Sequence, residues 1–202
     1  MFVPIRSLAP VFMLALFAIT ISFAAVKPDQ STNAAGLAAW DQVYSVLISP
    51  RCINCHTATN YPQQGDDRHR HFANVMRGED GHGVPGLNCI GCHQDRNADS
   101  TGVPGGTNWH LAPLSMQWQD MNDRPLSSAA VCRAVTDPEK NEHMDGPALL
   151  KHHSEAELVL WAWKPGIRPD GTIRTTPPLS HDEFVAATRT WVEAGTPCPK
   201  GR

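Results

Sequence analysis

Two identical five-residue patterns constrain this chain more than anything else in it: Cys52-Ile53-Asn54-Cys55-His56 and Cys89-Ile90-Gly91-Cys92-His93. Both read CxxCH. Two thiols a helical turn apart add across the two vinyl groups of haem, and the next residue sets an imidazole under the iron as proximal ligand. Cys52, Cys55, Cys89 and Cys92 are therefore candidate attachment points for two covalently bound haem c groups, with His56 and His93 as iron ligands. A four-thiolate zinc cage would need an unusually long separation between its CxxC pairs. A thioredoxin-like redox pair would occur once, on a βαβ pattern not seen here. Neither alternative needs His at the fifth position twice.

The motifs begin 37 positions apart, too few for a conventional cytochrome domain around each haem. One core must serve both. The expected fold class is mainly α, with cytochrome c-like helices and long loops packed around two covalently bound haems. With 41% apolar and 18% charged residues the composition is globular, and a formal charge of −3 excludes the dense basic field that nucleic acid binding requires.

Met1 to Ala25 carries one basic residue, Arg6, then an apolar run, then small residues at Ser22 and Ala24. Residues 1–24 read as a secretory signal peptide, and residues 25–202 as a single dihaem cytochrome c domain exported to the periplasm. The other reading is an uncleaved anchor, because Leu8 to Ala25 is 18 residues, the lower limit for spanning a bilayer. Membrane contact is expected only in that case. In an oxidising compartment the two remaining cysteines, Cys132 and Cys198, are expected to form a disulfide; two buried free thiols are the alternative.

Helices are expected over 34–49, 127–136, 154–163 and 182–194. Ser154 with Glu157, and Ser180 with Glu183, each match a capping box. Residues 60–86 and 95–108 are rich in Gly, Pro, Asn and Asp and read as loops that lie across the haem faces. Strand signals are weak throughout.

The sixth coordination position decides whether an iron transfers electrons or binds a small molecule. Met116, in a Pro-bounded loop after the second motif, is a candidate ligand, set against a core-packing Met. His71 is the candidate for the other iron, set against simple surface exposure. His152 and His153 could instead reach a haem edge, and His82, His110, His143, Met121 and Met144 stay possible. Arg68, Arg70 and Arg77 either pair with haem propionates or decorate a solvated loop. Trp109, Trp118, Trp161, Trp163 and Trp191 read as core walls against porphyrin.

The paired motifs and the exported N-terminus resemble the small dihaem c-type cytochromes. More narrowly, residues 75–83, residues 108–113 with Met116 and Trp118, residues 161–166 and residues 195–199 resemble bacterial proteins described as an isoquinoline 1-oxidoreductase subunit. That likeness spans most of the mature chain. It implies electron transfer with redox partner proteins, a molybdenum hydroxylase among them, while this chain has no molybdopterin or flavin motif of its own. Two other classes stay open: a haem enzyme or small-molecule sensor with one open axial position, and a structural subunit that haem helps to fold.

Overall fold

The computed structural model describes residues 30–201, so the signal segment expected over 1–24 lies outside the described residues. Helix α1 (Gln30–Leu47) buries Gly36, Ala39, Trp40, Val43, Val46 and Leu47. That is the i, i+3, i+4, i+7 stripe of a helix with one face in a core. It packs chiefly on α6, the last helix (His181–Glu193), where Trp40 meets Trp191 at 4.8 Å between ring centroids. Gly36 makes the close approach possible: a Cβ there would stand 2.5 Å from Ala194 Cβ.

Ser49 then precedes the one-turn helix α2 (Pro50–Ile53) without a side-chain capping bond, and Pro50 stands at its first position, where a missing N–H costs nothing. This turn carries Cys52. Three small antiparallel hairpins follow: β1 (Gln63–Gln64) with β2 (His69–Arg70), β3 (Gly83–Val84) with β4 (Leu87–Asn88), and β5 (Arg96–Ala98) with β6 (Val103–Gly106). All but β4, which lies just past the first of them, fall in the stretches expected to be loops. Gly-rich turns and strands of two to four residues leave too little alternation for a strand pattern to register in sequence.

Helix α3 (Ser128–Thr136) is capped by Ser127, and α4 (Gly146–Glu155) by Asp145, whose side chain accepts from the Ala148 amide at 2.9 Å. A single helix over 154–163 does not form. Ser154 lies in the last turn of α4 and donates to the Lys151 carbonyl, Ala156 is extended, and α5 (Glu157–Trp161) restarts beyond it. The Asp145 cap followed by Gly146-Pro147 starts the helix two turns earlier than the Ser154 signal would. The other capping box is present as expected: Ser180 Oγ accepts from the Glu183 amide while the Glu183 carboxylate accepts from the Ser180 amide at 2.8 Å.

Cys132 and Cys198 are joined across 66 residues, with Cα atoms 5.6 Å apart. The bridge ties α3 to the C-terminal segment, whose Pro197 carbonyl also accepts from Trp191 Nε1. Among the described residues no helix is long and apolar enough to cross a membrane.

Candidate functional site

Each CxxCH motif coils into one turn. The His56 amide donates to the Cys52 carbonyl at 3.1 Å and the His93 amide to the Cys89 carbonyl at 2.9 Å, so both motifs bring their two thiols and their imidazole onto the same kind of bend. All four thiols are free. They do not gather into a protein-only metal cage: among the described residues no group of three or more His, Cys, Asp or Glu converges.

The two imidazoles are held in the same way. His56 Nδ1 donates to the Met116 carbonyl at 2.7 Å, and its ring stacks on Trp118 with centroids 3.4 Å apart and planes 4° from parallel. His93 Nδ1 donates to the Pro104 carbonyl at 2.7 Å, and its ring stacks on Trp109 at 4.7 Å, again 4° from parallel. A carbonyl oxygen only accepts, so each bond fixes the proton on Nδ1 and leaves Nε2 with its lone pair. This is how a metal-ligating histidine is oriented by its outer partner. Burial pushes the His56 pKa down to about 3, and burial also lowers that of His93, so both rings are neutral near pH 7. The Nε2 atoms of both have no hydrogen-bond partner among the described residues.

Distant elements build these supports. The segment carrying Met116 and Trp118 is tied alongside the first motif by the Trp118 amide, which donates to the His56 carbonyl at 2.8 Å. Pro104 sits in β6, and Asn97 of β5 accepts from Trp161 Nε1 and donates to the Lys164 carbonyl, fastening that hairpin to the region of α5.

His56, Cys52 and Cys55 face a cavity of about 420 Å³, within the size range of cofactor sites. Met116 and Trp118 form part of its wall beside His56; Leu149 and His153 of α4, Val159 and Trp161 of α5, and Phe184 of α6 contribute elsewhere. The wall is mostly apolar. Burial pushes the Cys52 thiol up to about 12 and the Cys55 thiol up to about 11. Cys89 lies near enough to add to the rise at Cys55, so the two motifs share one neighbourhood.

The second motif is more open. Cys92 and Ile90 are exposed, as are Leu87 and Phe72. His71 is half-buried, with its ring 5.8 Å from that of His93 and its Nδ1 donating to the Phe72 carbonyl at 2.5 Å. That places His71 as the imidazole neighbour of His93.

The arginines divide differently from expectation. Arg77 neither awaits a propionate nor faces solvent; it is buried, and its three nitrogens donate to the Thr59, Ala112 and Thr57 carbonyls. Arg68 donates to Gln119 and to the Asp123 carbonyl, and Arg70 lies over the Tyr61 ring at 4.6 Å. The residue missed in sequence is Arg51, beside Cys52. It is 6% exposed, lines the cavity, shares Asp66 with Arg168, and leaves Nε buried without a partner. Two guanidinium groups on one carboxylate leave an excess positive charge, which suits an anionic substituent such as a haem propionate. An apolar cavity carrying two thiols, the lone-pair imidazole of His56 and an orphaned guanidinium nitrogen fits a haem.

Trp109, Trp118, Trp161 and Trp163 line the cavity, whereas Trp191 packs on Trp40 in the helical core. No family model matches the chain, and it matches none of the curated proteins or solved structures with which it was compared.

Proposed function

We propose that this chain is an exported dihaem c-type cytochrome that passes single electrons in the periplasm between an oxidoreductase partner and a later acceptor. One observation carries the reading. In both CxxCH motifs the histidine is locked through Nδ1 to a backbone carbonyl and braced by a parallel Trp ring, with Nε2 left unpartnered.

Haem c supplies a one-electron ferric/ferrous couple when bound. Cys52 and Cys55, and Cys89 and Cys92, are the thiols that would hold it through thioether bonds. His56 and His93 offer Nε2 to the irons, and Met116 and Pro104 restrain the rings through their carbonyls. His71, beside His93, would serve the second iron. Arg51 offers its free Nε to a propionate. The buried first site and the open second site are neighbours, an arrangement suited to entry or exit of electrons at the exposed one. The resemblance to an isoquinoline 1-oxidoreductase subunit makes a molybdenum hydroxylase the expected partner class.

The test is to express the full chain with haem-attachment machinery in a periplasm. The expected result is two covalent haems per chain by intact mass, a haem stain that survives denaturation, and reversible reduction. Absence of covalent haem would overturn the proposal. A high-spin, cyanide-binding iron in the oxidised protein would instead favour an enzyme or sensor with an open axial position.

A further inference from the structure

We infer that His153 is the second axial ligand of the haem held by Cys52, Cys55 and His56. The inference rests on the cytochrome reading and assigns a residue to a position that reading leaves empty.

His153 sits on the last turns of α4, is 5% exposed, and lines the same cavity as His56. Their supports come from different parts of the fold. His56 leans on Met116 and Trp118, whereas His153 leans on α6: its Nδ1 lies 3.0 Å from Thr188 Oγ1 and its ring 4.6 Å from that of Phe184. The backbone is pinned as well, since the His153 carbonyl accepts from His181 Nε2 at 3.0 Å. With Nδ1 engaged by the Thr188 hydroxyl, the ring repeats the pattern of His56, His93 and His71, one nitrogen held by oxygen and Nε2 unpartnered among the described residues.

Energetics separates His153 from its rivals on the cavity wall. His153 offers an imidazole nitrogen with no hydrogen-bond partner among the described residues on a mostly apolar cavity wall, and such a nitrogen gains from a ligand there. The thioethers of Met116 and Met144 have no comparable gain, because a methionine in an apolar wall is already at home. Met116 also belongs to His56's own support, its carbonyl fixed behind that ring. His152 lines the cavity but is exposed and makes no orienting hydrogen bond among the described residues.

The experiment uses the full haem-loaded chain and reads haem content, paramagnetic resonance and the near-infrared magnetic circular dichroism bands that distinguish His/His from His/Met ligation. In the wild type, the haem of the first motif is expected to be low-spin with His/His ligation. His153→Ala is expected to keep two covalent haems, convert one from low-spin to high-spin, and regain the low-spin signal when free imidazole is added. His153→Met is expected to keep that iron low-spin while raising its midpoint potential and introducing His/Met bands. Thr188→Val should weaken ligation without abolishing it, visible as partial high-spin character. Two attached haems with an unchanged spectrum in His153→Ala would overturn the assignment while leaving the cytochrome reading intact. Loss of low-spin signal in Met116→Leu or Met144→Leu, with His153→Ala unaffected, would also overturn it. If His153→Ala fails to accumulate, an unshifted potential and spectrum in His153→Met decides against it. No covalent haem in the wild type would overturn the cytochrome reading itself.

Discussion

The repeated histidine support is the smallest unit that carries meaning in this protein. Trp118 is almost fully buried and stacked on His56, so Trp118→Ala should cost about 3–5 kcal/mol, the usual range for a buried Trp. Urea denaturation of the haem-free chain measures it. Changing Cys89 and Cys92 together to Ser should halve the covalent haem, from two to one per chain by intact mass, and leave the first site spectroscopically present. The motif residues were legible because their chemistry depends on neighbours in the chain. Arg77 was not, because its partners are the carbonyls of Thr57, Thr59 and Ala112, brought to it by folding. Arg51 was passed over for the same reason: its one charged partner, Asp66, lies in the turn between β1 and β2.

At the scale of elements, local capping chemistry was readable wherever one cap had no competitor. Helix α6 starts at Ser180 as its sequence implies, and Ser180→Ala should destabilise the fold by about 1 kcal/mol, checked by thermal melting. Bonds from the Ser180 hydroxyl and amide hold the Glu183 carboxyl below its ordinary value of 4.5. Because the folded state favours the ionised carboxylate, this contribution is present above the ordinary value and lost as pH falls through the lowered one. The Tm gap between wild type and Ser180→Ala should accordingly narrow in acid. Where two caps compete, as Asp145 and Ser154 do, the sequence pattern alone does not rank them. Asp145 prevails because the segment it starts packs against α6, which gives that helix a tertiary reason to form. The hairpins were illegible for a different reason: strands of two to four residues are too short to show a period.

Across the whole molecule, the bridge between Cys132 and Cys198 closes a long loop around α4, α5 and α6. Replacing both with Ser should cost roughly 4 kcal/mol by the chain-entropy relation, seen as a lower urea midpoint. Charge acts at this scale too. Without residues 1–24 the chain has 16 basic and 20 acidic residues, a formal −4. Ionised propionates on two haems would take it to about −8, so electron exchange with a basic partner should slow as ionic strength rises. Stopped-flow rates across a salt series check this, and a flat series would contradict it.

What the sequence determined by itself was the pair of CxxCH motifs, three of the helical regions and the one possible pairing of the leftover cysteines, all of which follow from residue identity and short-range spacing. Only the tertiary structure decided which carbonyls hold His56 and His93, which arginine is left with a free nitrogen, and that His153 shares a cavity with His56. Those features depend on side chains meeting across tens of residues. Their positions follow from which helices pack together, and helix packing is set by the burial of whole apolar faces rather than by any local pattern.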